Sequence, residues 1–413
     1  MAAVATAGAA AEQRYADPDG TGTACTQPSP CSLEQALTAP PSGTEVIIQT
    51  GSHSYDVGAT FVSVPTGVDA HGPAGQPRPT ITGSFGSGVV DLAGGTLRNV
   101  DVTGSTGSAI VLDGSGSTID GVVATTTAGG GSGCAATGSA LIRNTVCQAS
   151  GVNTSGIGEN CNGCAVDLEL RNVTATGVSA GISIEMNASG STTVNATNVI
   201  AQSSGSGFGV ADVHAGASGA TTVTINLDHS NYDSEFELES GVPTGTVTVT
   251  DPGTGTNQSA LPLLTDTFHQ APGSPTIDAG AADPANGTND VDGEARSQGA
   301  AVDIGADEFT VATPGSGQGS TDNPPIDTHP PITTLAKGPK KRTTKHKAKF
   351  QFVSNEPGSS FMCKLDKKPF AACSAPKTVR VKTGKHTFKV EAVDPAGNID
   401  PTPAVYHWKV LPK

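Results

Sequence analysis

Lysine is absent from the first 336 residues of this 413-residue chain, and aromatic residues make up only 4% of it, with a single Trp. No run of about 18 apolar residues occurs, which argues against a membrane-spanning helix. The scarcity of aromatic side chains excludes a thick aromatic core. Glycine is abundant instead, with 53 residues, and Ser and Thr are frequent. This composition favours many turns around a thin core of β-branched residues.

The charge is divided unevenly along the chain. Residues 1–331 carry 6 Arg against 33 Asp and Glu, a net charge of −27, whereas residues 332–413 carry 17 Lys and Arg against 5 acidic residues, a net charge of +12. Such an asymmetry indicates two independent folding units. The length of 413 residues is compatible with two or three domains.

The cysteines occur in four local pairs. An even number at short spacings favours local disulfides and an oxidising compartment. The pairs are Cys25 with Cys31, Cys134 with Cys147, Cys161 with Cys164, and Cys363 with Cys373. Zinc is the alternative for the third pair, because its spacing suits a metal ligand set, but a second such pair or a matching His is missing.

Residues 1–11 resemble the end of a secretion signal with a small-residue cleavage site, which predicts export.

Imperfect repeats organise the middle of the chain. Their first residues are separated by 22, 23, 28, 26 and 29 positions. Periods in this range predict a solenoid, and short β-branched bursts between Gly, Ser, Thr and Asn predict strands, so each repeat is interpreted as one rung of a parallel β-helix. The aligned pieces are Leu97–Val102, Ile119–Ala124, Ile142–Cys147, Leu170–Ala175, Ala196–Ala201 and Ile225–Ser230.

The third column of this alignment predicts a tight turn in every rung. It holds Asn or Gly, the residues that tolerate a left-handed backbone, at Asn99, Gly121, Asn144, Asn172 and Asn198. We expect the stacked Asn side chains to hydrogen-bond to one another along the axis. A second strand in each rung is predicted at Ser108–Leu112, Gly181–Glu185 and Phe208–Asp212.

With these repeats, residues 15–310 resemble the right-handed parallel β-helix proteins of bacteria, relatives in fold of the pectate lyases. Cys31–Leu37 resembles their N-terminal "CSLREAI" cap, departing at Glu34 and Gln35, and is expected to form a short helical lid over the first rung. A later set of motifs is similar to the choice-of-anchor Q signature, which implies fold and surface location rather than chemistry. These motifs are Gly273–Gly280, Asp290–Gly293 and Val302–Glu308.

The end of the chain alternates apolar and polar residues with frequent turns, which predicts a small antiparallel sandwich. It resembles bacterial Ig-like modules, in which Cys363 and Cys373 would join neighbouring strands. The motifs that carry this resemblance are those two Cys, Ser354–Gly358 and Val393–Asn398. The predicted organisation is a signal-like segment at 1–11, an all-β right-handed parallel β-helix at 12–311, a Gly/Ser/Pro-rich linker at 312–336 and an Ig-like domain at 337–413.

No catalytic residue is identified. Lyases on this fold need a basic residue beside a carboxylate, and hydrolases need clustered carboxylates on neighbouring rungs. The solenoid has no Lys, and no rung shows an adjacent pair of acidic residues. His214 and His229 follow Asp212 and Asp228 closely, but such neighbours are usually surface residues. Because β-helix sites are assembled across rungs, an enzyme remains an alternative.

An outward column of charged residues forms the first candidate binding site. It contains Arg98, Asp120, Arg143 and Arg171, which would stack about 4.8 Å apart on successive rungs. One interpretation is a charge ladder in which Asp120 pairs with Arg98 and Arg143. The other is that Arg143 and Arg171, without a counter-ion, hold an acidic sugar by bidentate contacts.

Two further candidate sites follow from charge. Asp290, Asp292 and Glu294 have the alternation of a calcium loop, although a plain turn gives the same pattern, so structural calcium is the one cofactor candidate. A basic run predicts binding of anionic polymers. Its residues are Lys340, Lys341, Arg342, Lys345, Lys347 and Lys349.

The sequence therefore predicts a secreted or cell-surface monomer that binds polysaccharide or another anionic cell-envelope polymer. No cofactor is required, and nucleic acid is not an expected partner of an exported chain. Two alternatives stay open. A polysaccharide lyase or glycoside hydrolase would release reducing sugars or unsaturated products, and a structural spacer would show neither turnover nor binding.

Overall fold

The computed structural model describes residues 12–162, 165–205, 209–240, 245–251, 255–310, 331, 333–354, 359–368, 370–393, 399–400 and 402–412. The predicted signal-like segment and the predicted disulfide between Cys161 and Cys164 lie outside these residues. The chain divides into two compact units. The solenoid unit comprises Met1–Pro262 and Pro275–Val311, and the C-terminal unit comprises Leu263–Ser274 and Ala312–Lys413.

The solenoid unit is built almost entirely of strands. In chain order these elements are β1 Gln13–Ala16, α1 Leu33–Ala36, β2 Glu45–Ile48, β3 Tyr55–Asp56, β4 Val62–Pro65, β5 Asp69–His71, β6 Thr80–Gly83, β7 Gly88–Ala93, β8 Thr96–Arg98, β9 Asp101–Gly104, β10 Ser108–Gly114, β11 Ser117–Asp120, β12 Val123–Thr126, β13 Ser132–Ala136, β14 Ala140–Ala149, β15 Ser155–Asn162, β16 Ala165–Gly177, β17 Ala180–Ser203, β18 Val213–Asp228, β19 Glu235–Ser240 and β20 Thr246–Thr250, with a 3₁₀ helix at Pro284–Asn286.

Every pairing between these strands is parallel, and the strands stack into three faces. Sheet A contains β1, β2, β5, β8 and β11, sheet B contains β3, β6, β9 and β12, and sheet C contains β4, β7, β10, β13, β15 and β19. The longer strands continue through the corners between the sheets. The single strand β17 has 24 residues and therefore pairs in all three sheets. Alternate residues point inward, and Val, Ile, Leu and Ala fill the interior. The predicted parallel β-helix is confirmed.

The predicted repeat register is confirmed for five of the six pieces. Leu97 pairs with Ile119, and the column continues inward through the later rungs. All five residues of the turn column have a positive φ, between 48° and 65°. The sixth piece was misaligned by two residues, because Leu227 rather than Ile225 pairs with Ala196. This register places His229, with φ 45°, in the turn column.

The predicted cap helix and the predicted second strands are found with two corrections. The cap helix is shorter than Cys31–Leu37: it begins after Ser32, whose side chain accepts the N–H of Gln35, and buries Leu33 and Ala36. The predicted second strands at Ser108–Leu112 and Gly181–Glu185 lie within β10 and β17. The one predicted at Phe208–Asp212 is wrong for its described part, since that strand begins at Val213.

The C-terminal unit is a small sandwich of two sheets around one core. Its strands are β21 Thr333–Lys337, β22 Arg342–Thr343, β23 Lys347–Ser354, β24 Ser360–Leu365, β25 Ala371–Cys373, β26 Lys377–Arg380, β27 Gly384–Val393 and β28 Ala404–Val410. One sheet has the order β21–β23–β26 and the other β22–β28–β27–β24–β25. Pairing is antiparallel except between β22 and β28. Phe350, Phe388 and Trp408 form the centre of the core.

The predicted antiparallel sandwich is confirmed, whereas the Ig-like identity and the domain limits stay predictions. Strand β21 already begins at Thr333, inside the predicted linker, and residues 311–330 lie outside the described part. The Val393–Asn398 and Ser354–Gly358 motifs are described only in part.

Three of the four predicted disulfides are present, joining Cys25 to Cys31, Cys134 to Cys147 and Cys363 to Cys373. Within the described residues, no helix has both the length and the apolar character needed to cross a bilayer.

Candidate functional site

A segment from the end of the solenoid unit runs back along the turn column of the β-helix. We call residues 276–308 the strap. The side chain of Asn198 donates to the carbonyl of Ala281 at 2.8 Å and accepts its N–H at 2.7 Å. Asn172 donates to the carbonyl of Asp303 at 3.4 Å. In the described rungs, no hydrogen bond joins one Asn side chain of the column to the next, so the expected Asn ladder is wrong. Asn144, Asn172 and Asn198 bind the strap instead.

The backbone of the strap approaches the β-helix closely at Gly305, because this residue has no side chain. Gly305 has φ 113°, and a Cβ there would lie 2.7 Å from the Cδ1 of Ile200. Its N–H donates to the carbonyl of Asn198 at 2.9 Å, and the next amide, Ala306, donates to the Thr174 hydroxyl at 3.0 Å. The strap therefore lies directly against the rungs.

Arg296 of the strap is the buried centre of these contacts, since only 3% of the residue is exposed. Its Nη2 donates to the Oδ1 of Asn144 at 2.7 Å and to the carbonyl of Ala306 at 2.6 Å, and its Nη1 donates to the carbonyl of Gly305 at 3.2 Å. Glu308 supplies a carboxylate oxygen at 3.8 Å. These groups fix the strap to the rung of Asn144.

Several buried carboxyl groups surround Arg296. Burial raises the pKa of Asp290 to about 6 and that of Glu308 to about 7. Burial also raises the pKa of Asp303 and lowers that of the Arg296 guanidinium. Sequence reasoning missed this cluster. Its one local signal is that Arg296 is the single Arg among the acidic residues between Asp290 and Glu308.

The proposed calcium loop lies within the strap. Asp290 directs its oxygens toward amides: Oδ1 accepts the N–H groups of Asp292 at 3.0 Å and Glu294 at 2.8 Å, and Oδ2 accepts that of Glu308 at 3.1 Å. Asp292 pairs with Arg78 at 3.3 Å. The oxygens of the three predicted ligands do not converge in the described structure. These contacts favour the plain turn, and calcium binding stays a prediction.

The predicted charged column lies on sheet A as expected. Arg98, Asp120, Arg143 and Arg171 occupy matching positions of neighbouring strands. Arg98, however, pairs with Asp69 rather than Asp120, through its Nε at 2.9 Å and its Nη2 at 2.5 Å. That hydrogen bond raises the pKa of Arg98.

The premise that Arg143 and Arg171 lack a counter-ion is wrong. Arg143 contacts the Oδ2 of Asp120 through Nε at 2.9 Å and Nη2 at 2.8 Å. Arg171 pairs with Glu169 at 2.6 Å and with Asp283 of the strap at 3.0 Å. The column is a charge ladder that also holds the strap. Binding of an acidic sugar by these four residues is thereby disfavoured and stays a prediction.

The two His–Asp neighbours do not form catalytic pairs that point to a common site. His214 lies 3.8 Å from Glu185 and against the ring of Phe236, whereas Asp212 accepts the N–H of Ser203. His229 bonds to Asp228 at 2.9 Å from its turn position. Both His side chains are part of local packing.

One pair of carboxylates on neighbouring rungs escaped sequence reasoning. Asp91 of β7 and Asp113 of β10 lie close enough that burial, together with the Asp113 charge, raises the pKa of Asp91. Ser63 donates to Asp91 at 3.4 Å, and Thr137 donates to Asp113 at 2.8 Å. The pair is 22 residues apart in sequence, so no local motif reveals it.

The predicted basic run does not form a single patch. All six of its residues are exposed. Arg342 belongs to β22 in the five-stranded sheet, and Lys347 and Lys349 belong to β23 in the three-stranded sheet. Residues of the run instead lie beside cations on strands that are distant in sequence. Arg342 lies beside Lys409, and Lys347 lies beside Arg380.

A scan against protein-family models and a search of curated proteins both found no match for this chain. Among solved structures, the crystal structure of pectate lyase Pel9A is similar to 73% of this chain and to 98% of its own chain, with 12% sequence identity and a TM-score of 0.38. That likeness is too distant to support an argument about activity or substrate.

Proposed function

We propose that this protein binds an anionic polymer of the cell envelope through its C-terminal unit. The observation that carries the proposal is the excess of unpaired cations there. In the described part of that unit, no Lys or Arg forms an ion pair with a carboxylate. The disulfides are consistent with an extracellular location.

Charge alone gives such a surface affinity for polyanions. Each Lys or Arg near an anionic lipid surface contributes about 1 kcal/mol at physiological ionic strength, which sets the scale for a polyanion. Screening shortens the reach of these charges, since the Debye length falls from about 10 Å at 0.1 M to about 3 Å at 1 M salt. Binding must therefore be salt-sensitive. It must also be local to this unit, because the whole chain has a net charge of −15.

The test uses the full chain, immobilised polygalacturonate and purified cell-wall polymer, with neutral dextran as the control matrix. We expect retention on both polyanions at 0.1 M NaCl, loss of retention at 1 M NaCl, and no retention on dextran. A variant with Gln at Lys340, Lys341, Arg342, Lys345, Lys347 and Lys349 should elute at distinctly lower salt. Retention that survives 1 M salt, or none at low salt, would contradict the proposal.

The same samples distinguish the two alternatives. Release of reducing sugar or unsaturated product would favour an enzyme, and Asp91 and Asp113 would then be the first residues to change. Absence of both turnover and retention would favour a spacer.

A further inference from the structure

A row of three cations crosses one edge of the five-stranded sheet. Lys409 of β28 is the direct cross-strand neighbour of Arg342 on β22 and of Lys385 on β27. Trp408 and Val410 point into the core, so Lys409 and its two neighbours point outward, and all three are exposed. We call Arg342, Lys409 and Lys385 the basic row. Adjacent strands lie about 4.8 Å apart, so the row spans roughly 10 Å.

The row is held in place by contacts that do not use its charges. The N–H of Lys409 donates to the carbonyl of Lys341 at 2.8 Å, which fixes β22 to β28. The Nζ of Lys341 lies 3.8 Å from the ring centroid of Tyr406, and the Tyr406 hydroxyl donates to the carbonyl of Pro339. The backbone and one cation–π contact thus position three like charges side by side.

Like charges directly opposite one another destabilise a sheet. Two described carboxylates of this unit that could offset the cost are engaged or distant. Asp366 accepts the N–H of Thr387 at 2.8 Å and bonds to His386 at 2.9 Å. Glu391 is six residues from Lys385 on β27, which is about 20 Å along an extended strand. In the described unit, no member of the row has an ion-pair partner.

We propose that the basic row is the surface on which a linear polyanion with one oxyanion in each repeat unit binds, lying across the three strands. This inference rests on the proposed function and assigns it to one face. Every cation in the row is free to contact an oxygen of the polymer, and the polymer charge removes the repulsion between the strands. Carboxylate and phosphodiester groups both satisfy this chemistry, and Lys recognises either as a point charge.

The outer face of the three-stranded sheet supplies a matched comparison. Lys347, Lys349 and Arg380 are also exposed and carry the same total charge. Only two of them are direct cross-strand neighbours, since Lys349 is opposite Thr378. Neutralising either set changes the net charge equally, so any difference in affinity reports position and not overall charge.

The experiment measures the affinity of the full chain for polygalacturonate and for polyphosphate at 0.1 M NaCl. The two polymers distinguish carboxylate from phosphate. The row variant is R342Q/K385Q/K409Q, and the control variant is K347Q/K349Q/R380Q. We expect the row variant to bind on the order of 100-fold more weakly, from three lost contacts, with a shallower salt dependence. The control variant should lose less than about tenfold, and K385R/K409R should bind as the unmodified chain does.

Three results would overturn the inference. Equal losses in both variants would mean diffuse charge, leaving the proposed function intact. No binding of the unmodified chain to either polymer would remove the proposed function as well. Row-dependent binding of duplex DNA alone would assign the surface to nucleic acid. Trp408 fluorescence, from the only tryptophan in the chain, verifies that each variant is folded.

Discussion

The two units of this protein use their cations in opposite ways. Every arginine of the solenoid unit has a carboxylate partner: Arg14 with Glu12, Arg78 with Asp101, Arg98 with Asp69, Arg143 with Asp120, Arg171 with Glu169 and Arg296 with Glu308. In the C-terminal unit, no described Lys or Arg has one. A chain region with 6 Arg and 33 acidic residues can neutralise each Arg, whereas 17 cations cannot all be neutralised by 5 acids. The arginines of the solenoid unit therefore stabilise its fold, whereas the cations of the C-terminal unit are available to bind a partner.

The largest expected effect tests the structural half of this comparison. Arg296→Met removes a buried cation, which leaves the Glu308 carboxylate without its ion-pair partner and the Oδ1 of Asn144 without its donor. We expect the solenoid unit to lose about 3–5 kcal/mol of unfolding free energy, the usual cost of breaking a buried charge network. Circular dichroism during denaturation measures the loss. Trp408 fluorescence reports the C-terminal unit separately, because that residue is buried there.

The double variant R296M/E308Q serves as the control for Arg296. Removing both charges should recover part of the stability, because one of the buried carboxylates that face Arg296 is then neutral. A single variant that unfolds at the same denaturant concentration as the unmodified chain would contradict a structural role for Arg296.

The second effect concerns pH and the same cluster. In the folded state the pKa of Asp290 is raised to about 6 and that of Glu308 to about 7. Folded protein then binds more protons than unfolded protein, so their contribution to stability is present below about pH 4 and is lost as the pH rises through 6 to 7. We expect the solenoid unit to be on the order of 2 kcal/mol more stable at pH 5 than at pH 7.5. Glu308→Gln should flatten the profile. A profile that rises from pH 5 to pH 7.5 would contradict these pKa directions.

Features that depend on local spacing in the sequence could be predicted, whereas contacts between residues distant in sequence could not. The inward column and the turn column follow from local spacing, so Asn144 and Asn172 were correctly placed in left-handed turns. The sixth repeat was misaligned because Ile225 and Leu227 are both apolar and two residues apart. A shift by two keeps every side chain on its own face, and the hydrophobic pattern therefore does not distinguish the two registers.

The partners of the strap residues on the β-helix could not be predicted from local sequence. Arg296 and Asn144 are 152 positions apart, and nothing in either neighbourhood predicts the hydrogen bond between them. The basic run was identified from sequence, but its division between two sheets depends on the pairing of β22 with β28. That parallel pair, unlike a hairpin, joins residues 67 positions apart, Arg342 and Lys409. The sequence therefore predicts which charges are present better than it predicts which ones meet.

The smallest expected effect tests the other half of the comparison. Lys409 has a cation on each side, so Lys409→Glu should replace two repulsions by two attractions and stabilise the C-terminal unit by roughly 0.5–1 kcal/mol. Denaturation followed by Trp408 fluorescence measures this gain. It should shrink at 1 M salt, because exposed charges are then screened within about 3 Å. The control Lys347→Glu, with a cation on one side only, should give a smaller gain.

Lys409→Glu should also weaken polyanion binding, so stability and affinity would change in opposite directions. A loss of stability instead would show that Lys409 already has a favourable partner, and the contrast between the two units would then fail at its clearest position.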